Sequence, residues 1–216
     1  MNSPTSFPPK EPSSNPRPVA AAILAAGFSR RMGVVNKLIQ EVDGEPMLRQ
    51  VARQLLASRC DRVVVVVGHQ ADAVRDVLSG LSVDVIPNPD FHEGMAASVR
   101  VAAGTARQGE ALLICLGDMP YVSVQVIDAI IEAYRAGGHY ENVAAFQPYF
   151  QGRAGNPVLW VPHAVRSLKA LKGDEGARGL LKSLGNAVRQ VPVPDDSIFL
   201  DIDTPEMLAR VRAQQK

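Results

Sequence analysis

Val19-Ala20-Ala21-Ala22-Ile23 leads into Leu24-Ala25-Ala26-Gly27-Phe28-Ser29-Arg30-Arg31-Met32-Gly33-Val34-Val35-Asn36-Lys37. The first five residues read as a buried strand; the rest breaks into small residues and three cations before Leu38 and Ile39 resume. Small residues let the backbone approach a ligand, and consecutive backbone N–H groups in such a turn can cradle phosphate oxygens. Arg30, Arg31 and Lys37 supply charge to neutralise and clamp a polyphosphate. The stretch therefore points to a nucleoside triphosphate site after a first strand. An ordinary strand-to-helix turn with solvated arginines is the plain alternative. Two familiar phosphate motifs do not fit. Lys37 stands four residues beyond Gly33, not directly after it as a Walker A loop requires, and Gly27 to Gly33 has the wrong spacing for the dinucleotide fingerprint.

Outward from this loop, apolar runs alternate with helical patterns. Met47, Leu48, Val51, Leu55 and Leu56 have helical spacing within 46–58, and Val63 to Val67 is the β-branched run of a strand buried on both faces. A short helix is expected over 71–78, a third strand over 83–86, and a small-residue helix over 94–106. Ala111 to Leu116 is another buried strand, followed by a helix capped at Ser123 and reaching about Ala136. Strands over 143–146 and 157–160, helices over 162–171 and 174–184, and a late strand over 188–193 follow. Thr204-Pro205-Glu206 starts the last helix, to about Ala213. The pattern is an α/β protein: a three-layer α/β/α sandwich around a mostly parallel sheet. Ligands in such sheets bind beyond the carboxyl ends of the strands, which brings the cationic loop, Gly68-His69, Asn88 and Asp118 to one edge.

Composition sets the limits. The 216 residues are 46% apolar and 21% charged, ordinary values for one globular domain, expected over 18–216. Residues 1–17, rich in proline, serine and asparagine, read as a disordered tail. A net charge of +1 leaves no electrostatic footprint for nucleic acid or an anionic membrane. No apolar run approaches the roughly 20 residues of a bilayer span, and no signal-peptide core is present, so a cytoplasmic protein is expected. Cys60 and Cys115 are too few for a disulfide framework or a zinc cluster.

Asp118 directly follows a buried strand, where a carboxylate faces the crevice. Mg²⁺ is commonly held by one or two carboxylates together with substrate phosphates. Asp201-Ile202-Asp203 would place both carboxylates on one side if extended, with Ile202 inward; Asp203 could equally favour the dipole of the following helix. Gln151 to Pro157 and Gly173 to Gly179 are glycine-rich loops, readable as an acceptor pocket or as surface turns. His69 is open between lining the site and sitting in a turn.

The ordered set of these segments resembles the molybdenum cofactor cytidylyltransferases. It comprises Leu24 to Lys37, Val67-Gly68-His69, Asn88-Pro89-Asp90, Glu93 to Ser98, Gly117-Asp118-Met119-Pro120, Gly155-Asn156-Pro157-Val158-Leu159, Gly173-Asp174 through Leu181, and Asp201 to Glu206. The resemblance implies a nucleotide-diphospho-sugar-transferase-like, Rossmann-like fold and transfer of a cytidylyl group from CTP to the molybdopterin form of the cofactor. It implies that Gly27, Ser29, Arg31 and Lys37 hold the triphosphate beside Ala26 and Gly68, with Lys37, Arg31 and Asp118 catalytic. Asp118 and Asp203 would ligate Mg²⁺. Asn88, Gly94 and Ser98 would serve the base and ribose; Asn156, Pro157 and Asp174 would serve the acceptor. Related guanylyltransferases typically carry Leu-Ala-Gly-Gly where this chain has Leu24-Ala25-Ala26-Gly27, which favours CTP. A second arginine that relatives often carry is here Ala154. The resemblance also implies transient contact with a cofactor-insertion chaperone or a xanthine-oxidase-type hydroxylase. A guanylyltransferase, a sugar-phosphate nucleotidyltransferase and a non-catalytic molybdenum cofactor chaperone are the competing readings.

Overall fold

The computed structural model describes residues 17–32, 36–137, 140–173 and 176–213. The expected tail lies outside these except for Arg17, whose guanidinium donates to the carbonyls of Tyr134 (3.1 Å) and Gly137 and lies over the Tyr140 ring.

In chain order the first elements are β1 (Val19–Ala25), β2 (Glu41–Val42), β3 (Glu45–Pro46), α1 (Met47–Ala57), β4 (Arg62–Val67), α2 (Ala71–Val77), β5 (Asp84–Pro87), α3 (Met95–Thr105) and β6 (Ala111–Leu116). They continue as α4 (Val124–Ala136), β7 (Ala145–Phe150), β8 (Arg153–Ala154), β9 (Val158–Trp160), α5 (Pro162–Leu168), α6 (Arg178–Leu184), β10 (Val188–Pro192) and α7 (Pro205–Ala213). The main sheet runs β10-β7-β9-β6-β1-β4-β5, with β8 added to β7. β5, β4, β1 and β6 are parallel, and β10 is parallel to β7; β9 runs antiparallel to both β6 and β7. This is the expected mostly parallel sheet. α1 and α4 pack together on one face, α3 and α5 on the other.

β1 lies inside the sheet, between β6 and β4, where it is covered on both faces: Val19, Ala20, Ala21, Ala22 and Ile23 have no solvent exposure. From β1 the chain steps outward through β4 to β5, then crosses back to place β6 on the other side of β1. The loops leaving β1 and β6 therefore diverge, and a crevice opens between them at the carboxyl ends of the strands. No helix among the described residues is long and apolar enough to cross a membrane.

Two small departures have local causes. Residues 151–152, expected as part of a loop, form the turn of the β7–β8 hairpin with positive φ at both Gln151 (45°) and Gly152 (82°). Paired positive φ matches the twist of a two-residue hairpin. The β2–β3 hairpin turns the same way at Asp43 (φ 53°) and Gly44 (φ 76°), and α7 packs on it through a small second core of Met32, Val42, Met47, Ile202 and Leu208.

Candidate active site

A cleft of about 530 Å³ opens at the divergence of β1 and β6, floored by Leu24 and Leu116. Its polar end is assembled from three separate segments. Gly117 makes the first possible: its N–H donates to the Leu24 carbonyl (3.2 Å), and a Cβ there would meet that oxygen at 3.1 Å. With no side chain in the way, the turn closes on β1 and presents Asp118 to the cleft.

The second segment is the cationic loop. Ser29 adopts a left-handed conformation (φ 52°), and its hydroxyl accepts from the Lys37 backbone N–H (3.2 Å), drawing the two ends of the loop together. Buried Asn36 accepts from the Leu38 N–H (3.1 Å), and Leu38 is sunk into the core. Lys37, between them, projects into the cleft. The third segment is Asp201 to Asp203. The Ile202 N–H donates to the Asp118 carbonyl (2.9 Å) and its side chain is buried, so Asp201 and Asp203 both face the cleft. The alternation expected of an extended segment holds.

The Lys37 ammonium joins the three segments, donating to Asp118 Oδ2 (2.5 Å) and to Asp203 Oδ1, while Arg31 Nη1 donates to Asp203 Oδ2 (2.8 Å). Burial alone would lower the Lys37 pKa, but the charge and hydrogen bonds of Asp118 and Asp203 outweigh it and hold the ammonium above its ordinary value. Burial likewise works to raise Asp203, yet Lys37, with Arg31, keeps its carboxyl below the usual range. Asp201 goes the other way, raised by burial and by the charges of Asp203 and Asp118. Asp118 Oδ1 is buried without a hydrogen-bond partner. An orphaned carboxylate oxygen beside a second carboxylate fits a divalent cation. The described residues contain no group of three or more His, Cys, Asp or Glu able to hold a metal ion by themselves.

Of the residues singled out in the sequence, Ala26, Gly27, Ser29, Arg31, Lys37, Gly94, Ser98, Asp118 and Asp203 line this cleft. Two others sit behind it. Asn88 is buried and donates to Ser98 Oγ (3.1 Å), so it braces a lining residue and does not line the cleft itself. Gly68 lies under Phe91. Asn156 and Pro157 lie off the cleft lining: the Asn156 N–H donates to the Ile198 carbonyl (3.1 Å), and Pro157 lines a small apolar cavity beside Cys115. Asp174 falls outside the described residues. Arg153, beside Ala154, lies over the Phe199 ring, its guanidinium carbon 4.3 Å from the centroid. Phe28, Phe91, His92 and Met95 also line the cleft and were not anticipated. For Phe28, Phe91 and His92 the signal was available, as aromatic residues in turns past strand ends; Met95, the first residue of α3, carried none.

A doubly wound sheet with a lysine between two crevice carboxylates defines a nucleotidyltransferase. Residues 21–212 match the MobA-like NTP transferase domain, and the chain belongs to that family. It is 27% identical to the molybdenum cofactor cytidylyltransferase of Escherichia coli, over 85% of this chain and 90% of that one. It is also 27% identical to nicotine blue oxidoreductase of Paenarthrobacter nicotinovorans, over 89% and 96%. Among solved structures, Rv0371c of Mycobacterium tuberculosis superposes with a TM-score of 0.77 at 26% identity, covering 92% of this chain and all of that one. Its complex with manganese superposes at 0.72.

Proposed function

We propose that this protein is a Mg²⁺-dependent cytidylyltransferase that joins CTP to the terminal phosphate of the molybdopterin form of the molybdenum cofactor, releasing pyrophosphate. The observation that carries the reading is the Lys37 ammonium shared by Asp118 and Asp203 at the closed end of the cleft. The E. coli relative acts on this cofactor by its name, and the manganese complex of Rv0371c supports a divalent cation in a protein of this fold.

In the reaction, an oxygen of the acceptor phosphate attacks the α-phosphorus of CTP. One P–O bond forms as the bond from that phosphorus to the pyrophosphate oxygen breaks, and pyrophosphate leaves with the electron pair. The acceptor is already an anion, so a strong general base is not required; positioning and charge neutralisation carry the barrier reduction. Lys37 and Arg31 supply the positive charge at this end, and partial burial makes the Lys37 charge worth more than it would be in water. Asp118 and Asp203 would hold Mg²⁺, which when bound neutralises charge on the reacting phosphates. Ser98, braced by Asn88, and Gly94 would serve the base and ribose.

Equal identity to an oxidoreductase means that overall similarity does not choose the chemistry. What supports nucleotidyl transfer is the family match over residues 21–212 together with the cations Lys37 and Arg31 beside two crevice carboxylates. The test is pyrophosphate release with Mg²⁺ and molybdenum-loaded molybdopterin, offering CTP, GTP, ATP and UTP separately. Release with CTP alone is expected. Preference for GTP would overturn the base assignment, and no release with any nucleotide would overturn the acceptor.

A further inference from the structure

The cleft has two unlike ends. Apart from the lysine and carboxylates, which are joined by ion pairs, Phe28 from the loop after β1 and Phe91 from the turn after β5 line the same cleft with ring centroids 5.1 Å apart, tilted by 48°. His69 stands 5.2 Å from Phe28, and His92 meets Phe91 edge-on at 6.2 Å. Met95, at the start of α3, completes this wall at 45% exposure; among the described residues it and Leu200 are the large hydrophobics left open to solvent. An uncovered methionine beside aromatic rings in a concave site is a surface for an apolar, flat ligand.

The wall is built, not incidental. A Cβ on Gly68 would lie 2.6 Å from Phe91 Cβ and 2.9 Å from Ala26 Cβ, so the absence of a side chain there lets Phe91 seat against the end of β1. The His69 N–H donates to the Ala26 carbonyl (3.3 Å) and ties the end of β4 to the same place. Phe28 stands between Gly27 and Ser29, in the loop that also carries Arg31. One turn of chain therefore contributes to both the polar end and the aromatic end, as a ligand with a charged tail and a flat head requires.

We infer that Phe28 and Phe91 are the stacking surface for the nucleobase of the bound triphosphate, and that Gly68 is a positioning residue acting through Phe91. This rests on the nucleotide reading of the same cleft and adds an affinity element to it. Stacking is tolerant of base identity because every base has a π face, so the wall sets affinity for a ring and leaves discrimination among rings to hydrogen-bonding groups such as Ser98.

The probes are CTP and inorganic tripolyphosphate, each titrated calorimetrically with Mg²⁺ into the full chain. Wild type should bind CTP more tightly than tripolyphosphate. Phe28→Leu and Phe91→Leu should each weaken CTP about tenfold while leaving tripolyphosphate within about twofold. Gly68→Ala should reproduce the Phe91→Leu pattern, and Phe28→Trp should restore tight CTP binding. Phe28 and Phe91 are both only partly buried, so variants at either position should stay folded, and each provides an independent reading of the wall. Equal wild-type affinity for the two probes, or equal loss of both in variants that melt like wild type, would overturn the wall and leave the phosphate site standing. Failure of wild type to bind either probe would instead remove the nucleotide reading, and the wall with it.

Discussion

Glu110→Ala should cost the fold about 3 kcal/mol without touching the chemistry. Glu110 is 4% exposed and sits at the turn before β6, where its carboxylate accepts from Arg62 Nε (3.0 Å), Arg62 Nη2 (2.7 Å) and the Arg107 backbone N–H (2.9 Å). Removing the carboxylate strands a guanidinium that is itself largely buried, and breaking such a pair typically costs about 3–5 kcal/mol. The lower end applies because Arg62 keeps the Thr105 carbonyl (2.6 Å) and a distant Asp84 (3.9 Å). At roughly 2–4 °C per kcal/mol for a chain of this size, the melting temperature should fall by roughly 6–12 °C. Trp160 is a ready probe: it is the single tryptophan, fully buried in β9 and paired with Leu112 of β6. Its emission and far-UV circular dichroism should lose signal together in urea and on heating. Activity at 25 °C should be unchanged, since Glu110 and Asp118 stand at opposite ends of β6. Exchanging both partners for apolar residues, Arg62→Met with Glu110→Leu, should recover most of the loss. A single-variant cost below about 1 kcal/mol would refute the reasoning, because the pair would then be solvated and of little net worth.

Lys37→Met should lower turnover on the order of 10²–10³-fold while weakening CTP binding much less; a defect confined to KM would mean that Lys37 only anchors substrate. Asp118→Asn should abolish turnover while the protein stays folded, since Lys37 keeps Asp203 as a partner, and full activity would sink its assignment as a metal ligand. Ser123→Ala should cost about 1 kcal/mol, because Ser123 Oγ accepts from the Val126 N–H (3.3 Å) at the start of α4; denaturant midpoints check it. Burial, with a smaller contribution from Cys60, pushes the Cys115 thiol well above its ordinary range, and Cys60 is equally hidden. A thiol reagent at pH 8 should therefore find neither cysteine in the native protein and both in urea, and rapid native labelling would contradict the packing.

What was legible in the sequence followed from periodicity and from topology rules. Val63 to Val67 and Ala111 to Leu116 are unbroken apolar runs, and a strand covered on both faces needs such a run; both lie where expected. The carboxyl-edge rule brought Lys37 and Asp118 together across 81 residues, and the alternation of Asp201-Ile202-Asp203 turned Asp203 to the same side. The roles of Gly68 and Asn88 were not legible, because a residue one layer behind a ligand carries the same local pattern as one that touches it. Only the distance from Gly68 to Phe91, or from Asn88 to Ser98, separates the two cases. The β7–β8 hairpin was missed for a different reason. Gln151 occupies a left-handed position that asparagine or glycine usually marks, so the turn lacked its usual signature. At Asp43-Gly44 the signature was present and the strands were simply too short to show alternation.

The two ends of the cleft draw on different connections of one sheet. The polar end takes residues from the loops after β1 and β6 and from the segment before α7; the aromatic end takes them from the loops after β1 and β5, supported by the turn after β4. Only the β1 loop serves both. Strand packing fixes where each connection begins, so a change in the turns after β4 or β5 should alter the affinity for a flat ring without moving Lys37 or Asp118. A change in the loop after β6 would do the reverse. On this view Phe28 is the exception, because it shares its loop with Ser29 and Arg31. Substitutions there that shift the backbone, such as Phe28→Pro, should disturb CTP and tripolyphosphate together, whereas those that change only the ring should disturb CTP alone.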